Sequence, residues 1–197
     1  FSVYAKMLVE KKKRILIMKE QNLSYKFYRP ETDVKAVVFC VHGMQEHKIR
    51  YDVFAKYLNE NGIACITYDL PGHGKSAKDG KLGYFSDQDG WKTLVNSAVE
   101  IAKMAKEEYP DLPLIYFGHS MGTIIGRVFL QEHDALIDGC ILCGIPCYQG
   151  ACKLGILLAK AVVKVKGKDS QSRFLENLAT GSFNKVIDNP ETDVDWL

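Results

Sequence analysis

An α/β fold, with a mostly parallel sheet covered by helices on both faces, is what this sequence predicts, and three observations carry it. Strand-like and helix-like segments alternate between residues 23 and 146, with turn signals between them. The strand-like runs are nearly continuous in apolar residues, as expected of strands buried on both faces. One serine stands between two glycines where such a run gives way to a helical pattern, in "PLIYFGHSMGTIIGRVF" (113–129).

Taken in order, "LSYKFYR" (23–29) has the alternation of a strand, and "KAVVFCVH" (35–42) is a β-branched run that reads as a buried one. "RYDVFAKYLNENG" (50–62) is helical, with Tyr51, Phe54, Tyr57 and Leu58 as its apolar stripe and Asn61-Gly62 as its stop. "IACITYD" (63–69) is a second buried strand. After the loop 70–88 comes a long helix whose apolar residues include Trp91, Leu94, Val95, Ala98, Ile101, Ala102 and Met104, ending before Pro110. "LPLIYFGHS" (112–120) is a third buried strand, "MGTIIGRVFLQEHD" (121–134) a helix, and "ALIDGCILCGIP" (135–146) a fourth buried strand.

The ends differ from this pattern. The chain begins at Phe1, and Met18 opens a stretch that reads as the start of a domain, so residues 1–17 are set apart as an appendage with a solvated charge run at Lys11 to Arg14. The core is expected over 18–149. From residue 150 to residue 197 helical patterns dominate. There Lys153, Lys160 and Lys164 share one face of an otherwise apolar helix, either a helix packed on the domain with solvated lysines or a surface suited to lipid.

Composition narrows the function. A chain of 197 residues with 47% hydrophobic and 25% charged residues is an ordinary globular protein, and a net charge of +2 lacks the basic footprint of a nucleic-acid binder. Of the six cysteines, Cys40, Cys65, Cys140, Cys143, Cys147 and Cys152, at least three fall in apolar strand runs and read as buried free thiols. Cys140 and Cys143 would face opposite sides of a strand, which argues against a shared metal. No 18-residue apolar span or signal-peptide order is present, and a reducing cytoplasm is the expected location.

Ser120 carries the chemistry. A serine hydroxyl attacks a carbonyl only when it is held exposed beside a base, and a sharp strand-to-helix turn presents it. Such a turn brings backbone so close that side chains two residues to either side are excluded, the positions of Gly118 and Gly122. The helix opening at Met121 also aims unpaired N–H groups at the site, favouring a developing oxyanion. "VHGMQEHKIRY" places His42 and Gly43 at the end of a strand, where the backbone N–H of Met44 could be a second oxyanion donor beside that of Met121. "DLPGHGKS" (69–76) ends the next strand in a glycine-rich turn. His42, His47, His73 and His119 therefore gather at one sheet edge, where they are expected in structural roles rather than as the base.

These motifs, His-Gly-x-x-Glu-His-x-x-Arg-Tyr at 42–51, Asp-x-x-Gly-His-Gly-x-Ser at 69–76 and Gly-His-Ser-Met-Gly at 118–122, closely resemble the monoacylglycerol lipase and lysophospholipase branch of the α/β-hydrolases. The resemblance runs from about Lys19 to Leu197, with 150–197 resembling part of a helical cap. Thr123 departs from it, standing where many members have a third glycine; it should be tolerated within a helix, with crowding of the turn as the risk. The resemblance implies an α/β-hydrolase fold truncated at its C-terminus, and a serine esterase that works through an acyl-enzyme on Ser120. It further implies an oxyanion hole from the Met44 and Met121 amides, a small acyl ester or lipid as substrate, and no metal or organic cofactor. His42, Gly43 and His119 are candidate substrate contacts, and the cap is a candidate for peripheral membrane contact.

The resemblance also requires an acid and a histidine after the nucleophile. Only His133 follows Ser120, and 13 residues along one helix at 1.5 Å each put it about 20 Å away, far beyond hydrogen-bond reach. Asp188, Asp193 and Asp195 fall in the cap-like part with no histidine to orient. The triad Asp and His are thus not expected within this chain, which alone should be nearly inactive.

Overall fold

The computed structural model describes residues 23–147, 151–168, 170–181 and 188. The expected appendage at 1–17, and Asp193 and Asp195, lie outside the described residues. The chain divides into two units, 1–146 and 147–197.

The first unit is a five-stranded sheet with strand order β1-β3-β2-β4-β5. Its strands are β1 (Tyr25–Tyr28), β2 (Ala36–Val41), β3 (Ile63–Tyr68), β4 (Leu114–His119) and β5 (Gly139–Cys143). All neighbours pair in parallel except β1, which runs antiparallel to β3 at one edge. The connecting helices are α1 (Asp52–Glu60), preceded by a 3-10 turn at Lys48–Tyr51, α2 (Gly90–Glu108) and α3 (Met121–His133).

Strand alternation sorts the side chains to two faces. Val37, Phe39, Val41, Ile66, Tyr68, Leu114 and Tyr116 form one core with Leu94, Ala98 and Ile101 of α2 and Ile125 and Phe129 of α3. Val38, Cys40 and Cys65 form the other with Tyr51, Ala55 and Leu58 along α1. Helices therefore cover both faces, as the buried strand runs require. Gly62, at φ 78°, turns the chain from α1 into β3 in the left-handed conformation that its missing Cβ permits.

Several expectations need correction. The buried stripe is Tyr51, in the turn before α1, with Ala55 and Leu58 on α1, while Tyr57 is 62% exposed, because it lies about 100° round the helix from Leu58. Trp91, in the first turn of α2, is half exposed. The segment expected as a strand over 135–146 is a 3-10 turn at Asp134–Leu136 followed by the short β5, which is only partly buried because it is an edge of the sheet. The cysteines divide accordingly: Cys40 and Cys65 are buried with their sulfurs 3.8 Å apart, whereas Cys140 and Cys152 are half-buried and Cys143 and Cys147 exposed.

The second unit contains α4 (Ala151–Lys166) and α5 (Arg173–Thr180), the latter capped by the Ser172 hydroxyl, which accepts from Leu175 N–H. Along α4, Lys153, Lys160 and Lys164 are exposed, and so are Leu154, Leu157 and Val165. No described helix is long and apolar enough to cross a membrane.

Candidate active site

From β2 the chain crosses to β3 on one side, whereas from β4 it crosses to β5 on the other. A crevice opens at the carboxyl ends of two parallel strands whose connections part in this way, and it is the usual ligand position in such sheets. The two strand ends here lead into His42-Gly43 and into His119-Ser120. Topology alone thus brings together the two motifs singled out in the sequence.

Ser120 sits between β4 and α3 at φ 48°, ψ −113°, a conformation L-residues rarely adopt. The turn is held by backbone: Ser120 N–H donates to Cys143 C=O at 3.0 Å, and its own C=O accepts from Thr123 N–H at 2.9 Å. The flanking glycines are obligatory. A Cβ at Gly122 would lie 2.0 Å from Val41 O, and one at Gly118 would lie 2.7 Å from Gly122 O. The buried Tyr116 hydroxyl donates to Gly122 C=O at 2.7 Å, closing the same packing. Thr123, the departure from the resemblance, does not crowd the turn: it is buried and its hydroxyl donates to Ser120 C=O at 2.7 Å.

The loop after β2 lies directly against the serine. A Cβ at Gly43 would be 3.1 Å from Ser120 Cβ. His42 is fully buried. Its Nε2 accepts from Leu70 N–H at 2.9 Å, so Nδ1 carries the proton that Gly43 C=O accepts at 2.7 Å. Burial pushes this imidazole down to about 4, keeping it neutral and in that tautomer. Because a peptide is planar and trans, a Gly43 carbonyl held inward by His42 turns the Met44 N–H the opposite way. Among the described residues nothing accepts from Met44 N–H. Met121 N–H, at the start of α3, has no partner within its helix either. These are the two amides expected as oxyanion donors.

Two acidic residues quoted within the motifs, but given no role from sequence, organise these loops. Asp69 is buried and accepts from Lys48 Nζ at 2.6 Å, Lys48 N–H at 2.8 Å and Lys75 N–H at 2.9 Å, tying the β2 and β3 loops together. Burial alone would raise its carboxyl, but these donors hold it below its ordinary range. Glu46 is buried as well, accepting from Gly43 N–H and Tyr51 O–H, each at 3.0 Å. His119 Nδ1 stands 2.8 Å from Glu46 Oε1, too obliquely for a well-formed hydrogen bond. Charged loop residues are ordinarily solvated, so only their spacing beside glycine turns could have signalled this. His73 packs edge-on to His42 at 5.0 Å and stacks on Phe85, a structural placement, while His47 is exposed.

No described side chain hydrogen-bonds the Ser120 hydroxyl. His133 lies at the far end of α3 against Phe129. Asp138 accepts from Leu114 N–H, at the opposite end of β4 from Ser120, and Asp188 is exposed in the second unit.

The sequence pattern of the family described as "Serine aminopeptidase, S33" (Hydrolase_4) matches residues 32–192. The chain belongs to this family of serine hydrolases. It is 30% identical over 122 residues to the monoglyceride lipase of Mus musculus, covering 62% of this chain and 39% of that one. It is 30% identical over 160 residues to the monoacylglycerol lipase of Mycolicibacterium smegmatis, covering 78% and 52%. The crystal structure of a thermostable carboxyl esterase from Bacillus coagulans, in complex with glycerol, superposes with a TM-score of 0.74 at 33% identity, over 88% of this chain and 56% of that one. The family chain described here thus spans about half the length, or less, of the curated relatives it matches.

Proposed function

We propose that this family chain carries the nucleophile and oxyanion hole of a carboxylic ester hydrolase that acts on monoacylglycerol-type or lysophospholipid-type esters. The observation that carries the reading is the strained Ser120 turn, wedged between Gly118 and Gly122 and pressed against the Gly43 loop. A binding module has no use for such strain.

A base removes the Ser120 hydroxyl proton as Oγ attacks the ester carbonyl carbon. The carbonyl electrons move onto oxygen, which the Met44 and Met121 N–H groups stabilise. Collapse expels the alcohol with the proton and leaves an acyl-Ser120, which water then hydrolyses. The base and its orienting acid come from residues beyond those described here. The edge of the described sheet at β5, where Ile141 is 52% exposed, supports further strands there as their source. The cytoplasm is the proposed setting, and the exposed Leu154, Leu157 and Val165 among the lysines of α4 support peripheral contact with lipid.

The test is hydrolysis of a monoacylglycerol by the natural protein, with a fluorophosphonate label located by peptide mass spectrometry. Turnover lost in Ser120→Ala, with the label on Ser120, is the expected result; label elsewhere and turnover unchanged would refute it. Because the family description names a peptidase, an aminoacyl-anilide and a thioester belong in the same assay. Preference for either would keep the nucleophile and change the substrate.

A further inference from the structure

We propose that Glu46 is a positioning residue of the oxyanion loop, its carboxylate fixing where the Met44 N–H stands relative to Ser120. The inference rests on the ester-hydrolase reading above.

The Glu46 side chain is only 2% exposed, and a buried carboxylate is tolerated only when surrounded by donors. Here they come from separate pieces of the fold. Oε2 accepts from Gly43 N–H in the loop after β2 and from the Tyr51 hydroxyl in the turn leading to α1, each at 3.0 Å. Oε1 faces His119 Nδ1 at 2.8 Å and Arg50 Nε at 3.7 Å. Burial, aided by the carboxylate, raises the Tyr51 phenol far above its ordinary range, so it stays protonated and donates. His119 is the residue immediately before the nucleophile. One carboxylate therefore holds the loop carrying Met44 and stands against the residue that precedes Ser120.

The link to Met44 runs through Gly43, whose backbone is the softest point of the loop because it has no Cβ. Both peptide planes flanking it are pinned, one by Glu46 on the Gly43 N–H and the other by His42 on the Gly43 carbonyl. Gln45, at φ 63°, makes the tight return that lets a side chain three residues on reach back to that N–H. Without the carboxylate the plane carrying the Gly43 N–H is free to rotate, and the next plane, which carries the Met44 N–H, is left to the His42 contact alone, so the donor drifts off the line to the forming oxyanion. Oxyanion donors act over about 2.7–3.1 Å, so small rotations weaken them. The Arg50 guanidinium beside Oε1 offsets a negative charge that would otherwise oppose the oxyanion.

The experiment measures kcat and KM for monoacylglycerol hydrolysis by the natural protein and its Glu46→Gln, Tyr51→Phe and Ser120→Ala variants, with amide hydrogen exchange at Gly43 and Met44. Glu46→Gln keeps the shape but turns an NH₂ group toward a donor. We expect its kcat to fall about 10- to 100-fold with KM within about threefold, because the lost interaction is made in the transition state. Tyr51→Phe removes one support of the same carboxylate; it should lower Tm while leaving kcat within about twofold. Exchange at Gly43 should quicken in Glu46→Gln and not in Tyr51→Phe. Unchanged kcat in Glu46→Gln, or an equal loss in Tyr51→Phe, would reduce Glu46 to a packing role and overturn the proposal. Should Glu46→Gln not fold, the wild type decides: a protected Gly43 amide beside a readily exchanging Met44 amide supports it, and an unprotected Gly43 amide overturns it. Full turnover in Ser120→Ala would overturn the hydrolase reading itself, and this inference with it.

Discussion

Ser120 stores backbone strain at φ 48°, ψ −113°, and the surrounding contacts hold it there. A non-glycine residue in such a region costs on the order of 1–3 kcal/mol. Only glycine relieves that cost, since alanine keeps the Cβ that causes it. Ser120→Gly should therefore be more stable than Ser120→Ala by roughly 1 kcal/mol, after allowance for the greater freedom of glycine in the unfolded chain. Urea denaturation of the two variants checks this; equal midpoints would mean the turn is not strained. The glycine pair was legible in the sequence because steric exclusion acts through local spacing. Glu46 and Asp69 were not, because a carboxylate in a polar loop looks the same whether water or buried N–H groups surround it.

At the scale of elements, the loops after β2 and β3 behave as one piece, joined by Asp69 on Lys48 and Lys75 and by His42 on Leu70. This has a consequence for pH. Burial lowers His42 from 6.5 to about 4 in the folded chain and lowers His73 as well, so between those values the unfolded chain binds more protons. The stability these imidazoles contribute is complete above about pH 6.5 and is lost progressively as pH falls toward 4. Tm should begin to decline below pH 6.5, before carboxylates titrate, and a flat profile from 6.5 to 5 would count against neutral buried imidazoles. The helices and strands themselves were readable from periodicity. The exceptions, Tyr57 and β5, turn on which neighbour is present. A helix face and a strand edge have no burial of their own until something packs there.

At the scale of the molecule, one sheet edge ends at β5, with Ile141 and Ile145 about half exposed, and among the described residues no base reaches Ser120. The 197-residue chain produced alone should bind a hydrophobic dye and turn over p-nitrophenyl esters weakly or not at all. Brisk turnover abolished by Ser120→Ala would require a base among the histidines already present, His119 beside Glu46 foremost. By itself the sequence determined the α/β class, the serine at a strand-to-helix turn and the two glycines that permit it. All of these follow from periodicity and from steric rules between residues near in the chain. Tertiary structure alone decided that β2 and β4 are neighbours, that His42 is buried, and that Glu46 reaches both Gly43 and the strand end before Ser120. Those facts depend on which distant segments share the space, and on the water that their packing removes.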